Sequence, residues 1–238
     1  MERWLVNTFI RFLLNILLKL DVKQLKKCPK NGPYLLAVNH LNFLDAPVVI
    51  SHLHPRQTTG LIKKESWDKP FLAYLFRVWD GIPIERDTAD FKAFNQAKDA
   101  LKDGKILAIA PEGTRSEDGV LIQAKPGIAI LALKTNLPIY PIAYYGHEDF
   151  KQNFRRLKRT PMTVRVGEPI RVNLQGQPKN KENLQSVADS IMIEIASLMP
   201  EKYRGYYSTK MAQRGRFIEY LEVLPGKHIA QSLGEQPS

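Results

Sequence analysis

One histidine in the sequence has surroundings that suit proton transfer. His40 follows a short apolar run, and Asp45 lies five residues beyond it. A carboxylate that meets an imidazole fixes the ring tautomer and stabilises its cationic form, so the other ring nitrogen can act as a base. Residues five apart on an ideal helix point in different directions, so the pair requires a turn before the helix. A structural pairing of the two side chains is the alternative.

A second segment has the composition of an anion-binding turn. Pro111-Glu112-Gly113-Thr114-Arg115-Ser116 directly follows an apolar run that ends at Ala110. Glycine permits close backbone approach, backbone amides can donate to an anion, and the planar guanidinium of Arg115 matches a phosphate. The alternative is a plain turn with an exposed arginine. A third segment, residues 81–86, is an apolar run that ends at Arg86, and alone it is typical of an exposed strand end.

Elements that could position these residues alternate along the chain. We predict strands at residues 34–39, 59–63, 82–86, 105–110 and 137–145, and helices at 45–53, 66–79, 88–102 and 126–134. The spacing of Leu184, Val187, Ile191 and Ile195 predicts another helix, which Pro200 stops. This alternation indicates an α/β fold, a single domain with a mostly parallel central sheet covered by helices.

The first residues have the pattern of an amphipathic helix. Polar residues recur every four positions and leave a broad apolar face: Arg3, Asn7, Arg11, Asn15 and Lys19. No uncharged run reaches the ~18 residues of a spanning helix, and Arg11 interrupts what would be the apolar region of a secretory signal. We predict a helix over residues 1–22 in the membrane interface, with its basic residues near anionic headgroups. A terminal helix packed on the core is the alternative.

Composition limits the partners. The 238 residues, 44% of them hydrophobic, suffice for one main core, here residues 30–224, followed by a flexible tail at 225–238. The formal net charge of +11 favours anionic partners, and the absence of a basic and aromatic recognition motif argues against nucleic acid. Cys28 is the only cysteine, which excludes an intramolecular disulfide and fits a reducing compartment. No cysteine, histidine and carboxylate spacing predicts a metal site.

Four blocks together resemble the glycerolipid acyltransferase family, which includes the lysophosphatidic acid acyltransferases. They are His40 to Asp45, Ile84-Glu85-Arg86, Pro111 to Ser116, and Leu137-Pro138-Ile139-Tyr140-Pro141-Ile142, in the order and approximate spacing of the family. The resemblance extends from about Tyr34 to Tyr207. It includes the similar segments Lys63-Lys64-Glu65, Val166 to Ile170 and Pro200 to Tyr207.

The resemblance implies roles for particular residues. His40 would be the general base and Asp45 its orienting partner. Pro138 would mark the acyl-donor side. The residues that would bind the acceptor are Lys63, Arg86, Glu112, Gly113, Thr114 and Arg115.

The resemblance also implies an activity and a location. The chain would move a fatty acyl group, without a cofactor, from acyl-coenzyme A or acyl carrier protein to the free hydroxyl of lysophosphatidic acid. It would act as a peripheral or monotopic protein at the cytoplasmic face of a membrane. Alternatives are another lysophospholipid or glycerol-3-phosphate as acceptor, or a thioester hydrolase in which water attacks. Acyl-chain length, donor carrier and oligomeric state stay open.

Three positions depart from the pattern of the family. Asn42 stands where serine is frequent, Asp80 where the second block usually begins with glycine, and Ala110 where phenylalanine is common. The acid at Asp80 would weaken anion binding if it faced the site.

Overall fold

A computed structural model describes residues 1–86, 90–116 and 118–222. Its α-helices in that part of the chain are α1 (Glu2–Leu17), α2 (Asp45–Leu53), α3 (Pro70–Val78), α4 (Phe91–Lys102), α5 (Gly127–Thr135), α6 (Phe150–Arg155) and α7 (Lys181–Ser197). Its strands there are β1 (Leu18–Asp21), β2 (Tyr34–Val38), β3 (Thr58–Lys63), β4 (Ile82–Ile84), β5 (Ile106–Ile109), β6 (Ile139–Tyr145), β7 (Thr160–Val166), β8 (Ile170–Val172) and β9 (Ile218–Tyr220). Short 3₁₀ segments cover Lys23–Lys27, Lys64–Asp68, Glu201–Tyr203 and Gly205–Gln213.

The strands form one mixed, mostly parallel sheet, which confirms the predicted fold class. Five parallel strands lie side by side in the order β6-β2-β5-β3-β4. Strand β7 runs antiparallel to β6 and carries β1 on its far side, while β8 and β9 extend from β6 on a branch. The five parallel strands therefore end at one edge of the sheet, here called the carboxyl edge, and begin at the opposite amino edge.

Alternating side chains build a core on each face of the sheet. In the central strand β2, Leu35 and Ala37 join the cluster that contains residues of α4, α5 and α7. Tyr34 and Leu36 point to the other face and join residues of α1, α2 and α3. A strand covered by helices on both faces is apolar throughout, as β2 is. The result is a three-layer arrangement in which loops at the two edges are left to carry function.

Most of the predicted elements over residues 34–145 are present with small shifts. The helix expected at 45–53 has those bounds, whereas the one expected at 66–79 divides into Lys64–Asp68 and α3. Pro70 opens α3 because its missing N–H costs nothing in a first turn. The side chain of Asp90 caps α4 at the Ala93 amide, 2.9 Å away. The start of the helix expected at 88–102 and the tail at 225–238 lie outside the described residues.

The N-terminal helix turns its polar stripe toward the protein. It ends at Leu17 rather than at residue 22, and the next four residues form β1 beside β7. Arg3 donates to Thr58 O and Arg11 donates to Ser51 O, while Asn7 is fully buried. The expectation that these basic residues lie beside lipid headgroups is therefore wrong for Arg3 and Arg11.

The outward face of α1 is apolar. Its exposed large side chains are Trp4, Leu5, Phe9, Phe12, Leu13 and Ile16. Phe71 on α3 is exposed too, one turn before Tyr74, whose hydroxyl bonds to Glu2 at the start of α1. In the described part of the chain, no helix has both the length and the hydropathy needed to span a bilayer.

Candidate active site

All the predicted site residues lie along the carboxyl edge. His40 comes two residues after β2, and Glu112 comes three residues after β5. Lys63 is the last residue of β3, and Arg86 lies two residues after β4. Because β2, β5, β3 and β4 are successive neighbours and strands lie ~4.8 Å apart, the outer two of these strands are separated by only about 14 Å.

His40 and Asp45 form a close pair. His40 Nδ1 lies 2.7 Å from Asp45 Oδ2. The same oxygen accepts from the amides of Leu41 at 2.8 Å and Asn42 at 2.9 Å. The carboxylate turns back over residues 41–44, which are not helical, so the five-residue separation brings the two side chains together.

The charge on Asp45 fixes the tautomers around it. Burial would raise the pKa of Asp45, but hydrogen bonds from His147 and His40 outweigh that and hold the pKa below its ordinary value. A carboxylate accepts and cannot donate, so the facing Nδ1 of His40 must carry the proton. In the neutral ring, His40 Nε2 is then the unprotonated acceptor. Arg115 Nε lies 3.4 Å from it.

A second imidazole holds the same carboxylate. His147 Nε2 lies 2.6 Å from Asp45 Oδ1, and the His147 side chain is fully buried. Sequence reasoning missed this residue. The signal was its position two residues after β6, since β6 is the parallel neighbour of β2 and ends at the same edge. Neighbouring parallel strands place the residues that follow them close together.

Glu112 is buried, and it connects the loop after β2 to the loop after β5. Its Oε2 accepts from the His40 amide at 2.7 Å, and its Oε1 accepts from the Ile122 amide at 3.2 Å. The residue is 1% exposed, and burial raises its pKa to about 8, although the two amides alone would lower it. The Ser116 amide adds a further link to His40 O at 2.9 Å. The loops after β2 and β5 are thus tied into one unit.

Gly113 shapes the turn that presents Thr114 and Arg115. Its φ of +69° lies in the left-handed region, and an added Cβ would sit 3.0 Å from the Lys125 side chain. The Gly113 amide donates to Ala110 O at 3.1 Å, so it serves the turn rather than an anion. Thr114 and Arg115 themselves are exposed.

Lys63 and Arg86 form a second cluster along the same edge. Lys63 Nζ lies 3.2 Å from Glu65 Oε1. The pKa of Glu65 is lowered by a backbone hydrogen bond, by Lys63 and, to a smaller extent, by the charge of Arg86. The structure therefore joins His40, Asp45, Glu112 and Arg115 by contacts, and it places Lys63 and Arg86 two and three strands from β2.

Asn42 uses both ends of its side-chain amide. Oδ1 accepts from the Leu44 amide at 2.9 Å, and Nδ2 donates to His147 O at 3.1 Å. This departure from the family pattern therefore closes the turn after His40 and ties it to the loop after β6.

Asp80 does not face the site. It lies before β4 at the amino edge, where its carboxylate contacts Arg3 at 3.3 Å and Lys105 at 3.1 Å. Its φ of +52° is in the left-handed region, which explains why glycine suits the position and why an aspartate is tolerated. The concern that this acid weakens anion binding at the site is therefore wrong.

A cleft of about 1040 Å³ opens at the amino edge. Its lining includes Lys23, Lys30, His52 and Arg56. His52 is at the far end of α2 from Asp45, so the cleft and the His40 pair are separated by the length of that helix. Among the residues that the structure describes, no group of three or more His, Cys, Asp or Glu side chains could hold a metal ion.

Comparison with known proteins gives a consistent set of relatives. Residues 19–145 match the family model described as Acyltransferase. A 1-acyl-sn-glycerol-3-phosphate acyltransferase of Limnanthes douglasii is 35% identical over 136 residues, which cover 56% of this chain and 48% of that protein. The enzyme of the same name from Cocos nucifera is 32% identical over 182 residues, 75% of this chain and 58% of the relative. This chain thus spans about half the length of these plant relatives.

A bacterial relative is closer in length, and a solved structure shares the fold. The 1-acyl-sn-glycerol-3-phosphate acyltransferase of Bacillus subtilis (strain 168) is 24% identical over 170 residues, 71% of this chain and 83% of that protein. The crystal structure of the 1-acyl-sn-glycerophosphate (LPA) acyltransferase PlsC from Thermotoga maritima superposes with a TM-score of 0.61 at 22% identity. The match covers 81% of this chain and 76% of that one, and at this identity it shows the fold alone.

Proposed function

Because this chain belongs to the acyltransferase family, we propose that it transfers a fatty acyl group from a thioester to the free hydroxyl of lysophosphatidic acid. The names of the relatives favour this acceptor. The donor is acyl-coenzyme A or acyl carrier protein, both of which present the acyl group as a thioester.

The contact between Arg115 and His40 carries the proposal. Arg115 Nε is 3.4 Å from His40 Nε2, so an anion-binding guanidinium and a free base nitrogen face the same space. The free hydroxyl of lysophosphatidic acid is on the carbon next to the one that bears the phosphate. A phosphate bound by Arg115 would therefore bring that hydroxyl toward His40 Nε2, which is the arrangement that general-base catalysis requires.

The chemistry then follows from the tautomer of His40. Nε2 takes the hydroxyl proton as the oxygen attacks the thioester carbonyl carbon, and a tetrahedral oxyanion forms. Asp45 stabilises the imidazolium through Nδ1–H. When the intermediate collapses, the carbon–sulfur bond breaks, and the departing thiolate takes the proton from His40. No acyl-enzyme is needed because the acceptor itself is the nucleophile.

Lys63 and Arg86 complete the charge along the acceptor site. Both lie at the carboxyl edge, where they add positive potential beside Arg115. Cations on long side chains suit a doubly charged phosphate monoester, which glycerol-3-phosphate also carries and a lysophospholipid with a larger headgroup lacks.

We further propose that the apolar outer face of α1 inserts into the bilayer that holds the acceptor. Phe9 and Phe12 are each 61% exposed on that face. Insertion of such side chains stabilises binding by about 1.5–3 kcal/mol each. The variant Phe9→Asp with Phe12→Asp should lose binding to vesicles of phosphatidylcholine and phosphatidylglycerol. Phe91→Asp, at an exposed position of α4 on the opposite face of the sheet, should bind as the wild type does.

A product analysis tests the function directly. Purified protein is incubated with labelled acyl-coenzyme A or acyl carrier protein and with lysophosphatidic acid, other lysophospholipids or glycerol-3-phosphate, and the products are separated by lipid class. We expect labelled phosphatidic acid from lysophosphatidic acid. Labelled free fatty acid that forms at the same rate without acceptor would instead identify a thioester hydrolase, and product from another acceptor alone would reassign the substrate.

A further inference from the structure

The Asp45 carboxylate is shared between two histidines from different loops. Oδ2 faces His40 Nδ1 at 2.7 Å, and Oδ1 faces His147 Nε2 at 2.6 Å. His40 retains some exposure, with 18% of its side chain accessible, whereas the His147 side chain has none. One imidazole is therefore open to a substrate, whereas the ring of the other, among the residues that the structure describes, hydrogen-bonds only to the carboxylate.

The buried ring is a neutral donor. Asp45 is ionised, so the proton in its contact with His147 belongs to Nε2. Nδ1 of His147 is buried and has no hydrogen-bond partner within the described residues. A cationic ring would leave a charged N–H unpaired in the core, which costs far more than an unpaired acceptor nitrogen. His147 therefore gives a hydrogen bond to Asp45 without adding a charge.

From this geometry we propose that His147 is a positioning residue. It fixes the orientation of the Asp45 carboxylate beside His40, and it reduces the negative charge on that carboxylate that can stabilise the His40 imidazolium. The inference rests on the proposed function for its kinetic consequence. A neutral donor on Oδ1 withdraws charge from the carboxylate, so the imidazolium of His40 is stabilised less than it would be by an unshared aspartate. Asn42 supports the arrangement by donating to His147 O.

Other ionisable groups also face this trio. From the loop after β5, Glu112 accepts from the His40 amide and Arg115 approaches His40 Nε2. From β6, the Tyr144 hydroxyl is fully buried near Asp45, and the pKa of Tyr144 is raised first by burial and then by that charge. Beside His147 in the chain, Glu148 accepts from the Tyr203 hydroxyl at 2.8 Å. All of these remain unchanged when only residue 147 is altered.

Two kinds of substitution separate donation from packing. His147→Gln keeps an N–H donor close to the position of Nε2. His147→Leu removes the donor, and His147→Asn carries one that is too short to reach Oδ1. Loss of the donor should move the acid limb of kcat/KM for lysophosphatidic acid to higher pH by about one unit, because a fuller charge on Asp45 favours the protonated His40.

Glutamine should leave the limb in place, and the acceptor KM should change less than kcat in every variant. A purely structural role predicts lower thermal stability in all three variants and a pH profile of unaltered shape. If Leu fails to fold, the comparison of Asn with Gln still decides the question. An acid limb that does not move in folded Asn and Leu variants would overturn the proposal.

A measurement without substrate keeps this inference separate from the proposed function. The ring proton of His40 is followed by NMR across pH in the wild type and in the three variants, with His40→Ala used to assign the signal. The titration midpoint of His40 should rise in Leu and Asn and stay in place in Gln. This result is independent of whether the wild type transfers acyl groups. Equal midpoints in all four proteins would refute the positioning role even in an active acyltransferase.

Discussion

The two halves of the candidate site are built in opposite ways. In the base half, Asp45 accepts four hydrogen bonds, two from backbone amides and two from His40 and His147. The proposed phosphate half consists of Lys63, Arg86 and Arg115. Its charges are at the ends of long side chains, and Arg115 is exposed. The proposed base is thus held in place before substrate arrives, while the proposed anion-binding groups can adapt to it. Proton transfer depends on orientation within a fraction of an ångström, whereas attraction to a phosphate falls off gently with distance.

The largest expected effect is on the base half. His40→Ala should lower kcat by about 10²- to 10⁴-fold, because general-base catalysis contributes that much. The fold should persist, since the His40 side chain is partly exposed and its backbone contacts with Glu112 and Ser116 do not involve the ring. Steady-state kinetics and circular dichroism measure the two properties.

His52→Ala is the matched control for that variant. It removes a half-buried imidazole near the last turn of α2, at the amino edge, and should leave kcat unchanged. A folded His40→Ala protein that transfers acyl groups at the wild-type rate would remove His40 from the reaction.

The phosphate half should respond in affinity. Arg115→Ala should raise the acceptor KM by about 10- to 100-fold, since a hydrogen bond to a charged group is worth about 1.5–3 kcal/mol. The acceptor KM of Arg115→Lys should lie between those of the wild type and Arg115→Ala, because lysine keeps the charge and loses the planar fork. The KM for the thioester donor should not change in either variant.

Arg216→Ala removes an exposed arginine just before β9 and serves as the control. If Arg115→Ala lowered kcat and left the acceptor KM unchanged, Arg115 would belong with the base rather than with the phosphate, and the contrast between the two halves would fail.

The parallel core was well predicted because its strands are continuous apolar runs, which can be recognised from neighbouring residues alone. Strands β1, β7, β8 and β9 escaped prediction. Strand β1 pairs with β7 across more than a hundred residues of sequence, as in the pairing of Leu18 with Thr160, and short-range patterns carry no such information. The pairing of His40 with Asp45 followed from spacing, whereas His147 depended on which strand lies beside β2. The role of Glu112 as a buried brace likewise depends on burial that its motif does not encode.

Glu112 joins the two halves, and its substitution should alter the pH dependence of stability. Burial raises the pKa of Glu112 to about 8. Since the unfolded chain loses this proton near its ordinary pKa, the contribution is fully present at low pH and is lost as pH rises through about 8. Relative to Glu112→Gln, the free energy of unfolding of the wild type should fall by up to about 1.4 kcal/mol per pH unit between about pH 5 and 7.5.

Urea unfolding of the two proteins across this range gives the difference in slope, and Glu219→Gln, at an exposed position on β9, is the control that should follow the wild type. Parallel curves for wild type and Glu112→Gln would mean that Glu112 stays ionised in the fold, and that the two amide hydrogen bonds outweigh its burial.

The smallest effect is expected at the amino edge, from Asp80→Gly. The charge of Asp80 is already paired with Arg3 and Lys105. Strand β4 (Ile82–Ile84) lies between it and Arg86, and three extended residues at about 3.3 Å each already span about 10 Å, which exceeds the ~8 Å screening length at physiological salt. Glycine relieves the left-handed backbone at this position but loses both ion pairs, so stability should change by no more than about 1 kcal/mol in either direction. The acceptor KM should stay within about twofold of the wild type, because the field at the phosphate half is set by groups at the other edge. A several-fold fall in KM at physiological salt would show that the acid does reach the acceptor, and the two edges of the sheet would then have to be treated as one electrostatic unit.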